Sequence, residues 1–259
     1  MNRWMFMNIL IIGLLSVLVI DGAQAVDVGP LGYWPFEDGS GKIATDETGN
    51  GHDGDITGAK WIKDGKFGKA LDFDGNSHVD IPQSDEMSSW EAFTFMAWVY
   101  PTEFRGDWER IIDCDLGSEG FWTCIRQDGT VDWGFRPTTF YDAIGQVALE
   151  DWTHLAFIWE LAGNSKGEFR VYINGEIDEK KNSFKQDVTT PAPIRIAGRS
   201  KAAANATEWW VGYIDEVAIF DRVLSADEIK QSVEGKIPGA YAVQPTDKLS
   251  TTWSQIKSE

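Results

Sequence analysis

The 259-residue chain is poor in cysteine, histidine and positive charge, and each shortage excludes something. Two cysteines, Cys114 and Cys124, are too few for a zinc site built on thiolates. Three histidines, His52, His78 and His154, stand apart in sequence with no metal-ligand or catalytic motif around them. No serine elbow, phosphate loop or dinucleotide fingerprint is present. Lys and Arg number 23 against 41 Asp and Glu, a formal net charge of −18. Such a chain repels phosphate backbones, which argues against nucleic acid as a partner, while its carboxylates favour divalent cations. Long apolar runs are missing but for one. "ILIIGLLSVLVI" (Ile9–Ile20) follows Arg3 and precedes the small residues "AQA" (Ala23–Ala25), as an export signal does. The run is shorter than the roughly 20 residues of a membrane span. Residues 1–25 are therefore expected to be removed. The mature protein is then secreted or periplasmic, with no membrane span.

Helical periodicity is scarce as well. After residue 26 the chain reads as short strands broken by Gly, Asp and Asn. Leu31–Phe36, Ala70–Phe73, His78–Ile81, Phe93–Pro101, Arg110–Asp113, Gly120–Arg126, Val131–Phe135, Trp152–Glu160, Glu168–Asn174, Ile194–Ala197 and Trp210–Phe220 are expected strands. "RQDGTVDW" and "YINGEID" carry hairpin turns. One helix is expected in "RVLSADEIKQSVEGK": Ser225 and Glu228 form a capping box and Gly235 ends it. This composition predicts an all-β, antiparallel two-sheet jelly-roll sandwich with one short C-terminal helix, over residues 26–236. The tail 237–259 changes character and receives no role. In an exported protein, "RIIDCDLGSEGFWTCIRQ" reads as a hairpin that would set Cys114 against Cys124 in a disulfide; buried free thiols are the alternative.

The motifs occur in a familiar order. "GYWPFEDGSGKIATDETGNGHDGDITG", "GKALDFDGNSHVDIP", "FTFMAWVYP", "WTHLAFIWE", "FRVYINGE" and "VGYIDEVAIFDRVLSADEI" resemble the laminin G-like, concanavalin A-like lectin/glucanase jelly-roll family over about residues 28–235. The resemblance implies the fold. It leaves the function open, since lectins, enzymes, adhesion modules and spacers share it. It also implies a structural calcium ion near the pairing of the first and last strands. Glu37, Asp46, Asn50 and Asp215 are the candidate ligands, because calcium takes six to eight oxygen donors. Asp74 is a weaker candidate. A metal-free hydrogen-bonded network is the alternative, with Asp46 capping a turn and Asp215 accepting backbone N–H groups.

Glucanases of this fold place two or three carboxylates on one strand face. "GEIDEKKN" offers Glu176 and Asp178, but Lys180 stands where the second Glu belongs. Asp215 and Glu216 are adjacent and should point to opposite faces of a regular strand. Catalysis is therefore not expected. Thirteen tryptophans offer another chemistry. Trp98, Trp152 and Trp159 read as strand packing. Trp108, Trp122, Trp133, Trp209 and Trp210 lie near loops or beside Gly and Asp. Of these, Trp108, Trp122, Trp133 and Trp209 are the candidate ligand-binding set, with cover for a loop-edge core as the alternative. "RGD" (Arg105–Asp107) is a short chance-level match to an adhesive tripeptide, and "NAT" (Asn205–Thr207) fits N-glycosylation. The expected function is non-catalytic recognition of a glycan or cell-surface partner. The alternatives are a polysaccharide hydrolase and a structural or adhesion protein of the envelope.

Overall fold

The computed structural model describes residues 29–240, apart from 116–118, 136–138, 163–165, 183–187, 190–192 and 201–207. The expected export signal, the Asn205–Thr207 motif and residues 241–259 of the tail lie outside the described residues.

In chain order the first strands are β1 (Gly32–Trp34), β2 (Ile43–Ala44), β3 (Gly54–Thr57), β4 (Lys60–Ile62), β5 (Ala70–Asp74), β6 (His78–Ile81), β7 (Ser89–Trp90), β8 (Ala92–Pro101) and β9 (Glu109–Asp113). They continue as β10 (Phe121–Ile125), β11 (Thr130–Phe135), β12 (Thr139–Gln146), β13 (Thr153–Ala162), β14 (Lys166–Ile173), β15 (Glu176–Asn182), β16 (Val188–Thr189), β17 (Ile194–Ile196) and β18 (Val211–Phe220), followed by helix α1 (Ala226–Val233). Sheet A runs β15-β14-β13-β8-β18-β5-β4, with β1 paired to β18 as well. Sheet B runs β12-β11-β10-β9-β17-β6-β3-β2, and β7 with β16 forms a small ribbon. All pairs within these sheets are antiparallel. This is the expected jelly-roll sandwich.

Period-two alternation divides the faces. On β8, Phe93, Phe95, Ala97 and Val99 enter the core between the sheets, while Met96 belongs to a second cluster on the outer face of sheet A. On β10 and β11, Phe121, Ile125, Val131, Trp133 and Phe135 point inward. Trp122, Cys124 and Asp132 therefore take the outer face of sheet B. One end of the core is aromatic: Trp133 and Phe169 have centroids 3.6 Å apart, Trp159 and Phe169 4.4 Å. Each such side chain contributes about 2–3 kcal/mol on burial.

Helix α1 starts at Ser225, with the capping box to Glu228 formed in both directions. It ends where Gly235 takes a left-handed φ of 76°. Ile229 packs with Leu224 and Ile237 on Met96, Ala156, Ile158 and Phe220. At the base of the sandwich a Cβ added to Gly29 would lie 2.8 Å from the Gly239 carbonyl oxygen, so the two ends of the described chain touch.

The expected disulfide does not form; both cysteines are buried thiols. The hairpin register explains this. Cys114 N–H donates to the Phe121 carbonyl at 3.0 Å, whereas Cys124 lies opposite Arg110. The two are offset by three strand positions, about 10 Å. Cys114 also faces the core, and Cys124 the outer side. Burial pushes the Cys124 thiol up to about 12.

Candidate functional site

The acidic pair on β18 sits at a β-bulge. The register with β8 shifts between Asp215 and Ala218, and Glu216 has φ +53°. The bulge turns Glu216 to the outer side of sheet A, where Tyr33 Oη donates to it at 2.5 Å. The expectation of opposite faces is thereby corrected. Asp215 is fully buried and accepts from Phe67 N–H at 3.0 Å and Glu216 N–H at 2.9 Å. Burial pushes its carboxyl up to about 8, against backbone donors and with Glu216 adding to the rise. Burial also lifts Glu216 to about 7, opposed by Tyr33 and reinforced by Glu37. Glu37 accepts from Lys69 N–H at 2.7 Å. Glycine lets the covering loop approach: a Cβ at Gly68 would meet Glu37 Oε1 at 2.2 Å, and one at Gly65 would meet Asp215 Oδ2 at 2.9 Å.

The other two expected calcium ligands are elsewhere. Asp46 staples the loop 46–52, accepting from Tyr33 N–H at 3.1 Å, Thr48 N–H at 3.1 Å and His52 N–H at 3.0 Å. Asn50 Nδ2 donates to the Leu31 carbonyl at 2.9 Å. Asp74 accepts from Asn76 N–H at 3.1 Å, as a turn aspartate does. The quartet thus divides into two groups: Glu37, Asp46 and Asp215 accept from backbone N–H groups, and Asn50 itself donates. Among the described residues no group of three or more His, Cys, Asp or Glu is placed to hold a metal ion. These residues do not fit one calcium site, and no step is built on the ion.

Two of the four candidate tryptophans are inaccessible. Trp133 is in the aromatic core and Trp122 is 1% exposed, with the Arg110 guanidinium 5.0 Å from its ring. Alternation, not loop position, decides both. Trp108 is 37% exposed and holds φ +74°, a strained backbone for a bulky side chain. Trp209 is half-buried. Its ring lies on Gly198, where a Cβ would come within 2.5 Å of Cε3. His78 is 5.4 Å from that ring and Arg195 5.6 Å. Arg195 in turn grips Asp80 with two bonds of 2.7 and 2.8 Å. Burial would raise Asp80, but bonds from His78 and Arg195 outweigh it and hold the carboxyl well below the usual range.

Beside this cluster, sheet B carries a buried charged row that sequence reading missed. Arg126 pairs with Asp132 at 2.9 Å, and Arg199 with Glu208 at 2.8 Å. Arg110 meets Asp113 at 3.3 Å through Nε, leaving Arg110 Nη1 and Asp113 Oδ2 without a hydrogen bond. Burial raises the Asp113 carboxyl. Glu109, at the start of β9, accepts from Arg105 N–H, and its Oε2 has no partner. Burial lifts it to about 7. The three charges among the five residues of "ERIID", at Glu109, Arg110 and Asp113, were the available signal.

The remaining candidates are structural. Arg105 of the RGD tripeptide turns inward and donates to the Trp209 carbonyl at 2.7 Å, so the motif is not displayed. Glu176 pairs with Lys230 at 3.0 Å, and Asp178 accepts from Gly145 N–H at 2.9 Å. His154 is buried, 3.2 Å from Ser232 Oγ, and burial pushes it down to about 3.

Two sheets in this order, with the short helix after the last strand, agree with the family comparison. The Laminin_G_3 family, described as the Concanavalin A-like lectin/glucanases superfamily, matches residues 73–230. The chain belongs to this superfamily. No curated protein matches the sequence. Domain 4 of AbnA, a GH43 extracellular arabinanase from Geobacillus stearothermophilus solved with arabinotriose, has a TM-score of 0.61 at 23% identity, over 78% of this chain and 97% of that one. The binding domain of Paraclostridial Mosquitocidal Protein 1 has a TM-score of 0.63 at 16% identity, over 81% and 52%. A structure of botulinum neurotoxin type C, whose cell entry depends on interaction with two ganglioside molecules, has a TM-score of 0.59 at 12% identity, over 81% and 52%. The superfamily member described here spans about half the length of the last two. At these identities the likeness is one of fold.

Proposed function

We propose that the protein is a non-catalytic glycan-recognition module acting outside the cytoplasm. The observation that carries this is Trp209. A half-buried indole, seated on Gly198, is flanked by His78 and by the Arg195–Asp80 pair. Tryptophan supplies a flat apolar surface for the C–H face of a sugar ring. The ion pair and the imidazole beside it offer donors and acceptors to hydroxyls, the combination that fixes orientation in small-ligand sites. Trp108 adds an exposed indole in the loop just before β9. Neighbours of this fold that bind arabinotriose or depend on gangliosides support the reading.

The test is a glycan and polysaccharide array with residues 26–259, repeated with Trp209→Ala. Binding to one sugar class, weakened about tenfold or more by the substitution, is the expected result. Binding that ignores Trp209 overturns the assignment of the site. The structural calcium expected from the resemblance stands apart from this proposal, because its ligands fall in two groups. Running the array with calcium and with a chelator separates the two matters.

A catalytic reading rests on one observation. Glu109 has a carboxyl lifted to about 7 and a free Oε2, the state of a general acid. The carboxylate that acts on it, Glu103, adds to the rise. Release of reducing sugar that Glu109→Gln abolishes is the result that would establish it.

A further inference from the structure

On the opposite side of the sandwich, one row crosses the outer face of sheet A beyond helix α1. The pairings set Lys60 beside Asp72, Asp72 beside Tyr213, and Tyr213 beside Tyr100. Trp152 follows on the strand neighbouring Tyr100, one residue before the Thr153–Val99 pair. The three rings form a compact triad. Tyr100 and Tyr213 stack at 5.1 Å and 17°, and Trp152 leans over both at 5.4 and 6.3 Å. All three are half-buried, so their rings meet water on one side.

Their polar tips are unused. Among the described residues no side-chain hydrogen bond engages Tyr100 Oη, Tyr213 Oη, Trp152 Nε1 or the Asp72 carboxylate. These half-buried tips reach solvent, so a ligand's hydroxyls can replace water on them while the ring faces take its apolar side. Burial raises the Asp72 carboxyl; Lys60 opposes the rise through space and Asp74 adds to it, so the row carries charges of both signs.

We infer that the row Lys60–Asp72–Tyr213–Tyr100–Trp152 is a second carbohydrate-binding surface, taking one or two rings of a neutral polysaccharide. Hydroxyls both donate and accept, so they satisfy tyrosine, indole and carboxylate together. The apolar ring faces take the C–H side of the sugar. The site extends the glycan reading to the other sheet and shares no residue with Trp209.

The test is affinity gel electrophoresis in arabinan, xylan, galactan, mannan and mixed-linkage glucan, with pectate as the anionic probe. The proteins are the wild type, Trp152→Ala, Tyr213→Phe and Trp209→Ala, each checked for an unchanged melting transition. In parallel, tryptophan oxidation by N-bromosuccinimide is mapped by peptide mass with and without polysaccharide. Trp152→Ala is expected to cut retention by one neutral polysaccharide about tenfold, Tyr213→Phe a few-fold, and the sugar to protect Trp152 from oxidation even in the Trp209→Ala protein. Retention that depends on Trp209 while Trp152 oxidises unprotected overturns this site and leaves the first standing. Dependence on Trp152 alone keeps this site and removes the first. Retention by pectate only overturns the neutral ligand class, and retention by none of the six overturns both sites.

Discussion

Asp215 and Glu216 are two neighbouring carboxyls that the fold holds away from water, and the cost depends on pH. Both have folded-state values raised above the unfolded ones, to about 8 and about 7. Their contribution is therefore complete below about pH 4 and is lost as pH rises through 7 and 8. Urea unfolding at pH 5 and pH 9 is expected to differ by a few kcal/mol in favour of pH 5. The variant Asp215→Asn/Glu216→Gln should flatten that slope; an equal slope in both proteins would show that other groups govern it. The sequence reading found these residues but mistook their geometry, because alternation cannot register a bulge. Trp122 and Trp133 show the reverse. Alternation alone would have placed one in the core and one on the outer face. Their position near Gly and Asp drew the reading toward loops.

At the level of elements, long strands with apolar alternation were legible, whereas edge strands and the short interior β3 were not. β2, β4 and β12 lie at the edges of their sheets and were not read as strands. An edge pairs on one side only and tolerates polar residues, so it carries little periodic signal. Interior strands such as β8 and β13 bury one full face against the core and announce themselves. The helix was legible because capping is local chemistry. Ser225→Ala removes the oxygen that accepts from Glu228 N–H and should lower stability by about 1 kcal/mol in urea denaturation. Gly212 tests tertiary fit. A Cβ there would sit 2.1 Å from the Tyr100 carbonyl oxygen, at φ +133°. Gly212→Ala should cost about 2–4 kcal/mol, read from the same denaturation midpoint.

For the whole molecule, stability rests on packing between two sheets without a covalent staple. Reductant should leave the melting temperature unchanged. Iodoacetamide should label Cys114 and Cys124 only after denaturation, since both are buried and the Cys124 thiol is held protonated. Labelling of the folded protein would contradict the described core. Millimolar calcium or a chelator is likewise expected to leave the melting temperature unmoved; a rise of several degrees with calcium would bring back the ion that the resemblance implies. The overall fold was readable because many weak signals agreed along the chain. The proposed ligand sites were only half readable, since they are assembled from residues as distant as His78 and Trp209.

The first strand lies along the last, Gly32 opposite Ile219, and the chain enters and leaves at one point where Gly29 meets Gly239. Tension applied to the two ends would not be shared across the sheet. It would load the Gly29–Gly239 contact and the packing of helix α1 first, then open β1 from β18 one rung at a time, as a zipper yields from its tab. A module tethered at both ends is therefore mechanically soft, whereas one tethered at a single end, and gripping its ligand with a sheet face, never loads the seam.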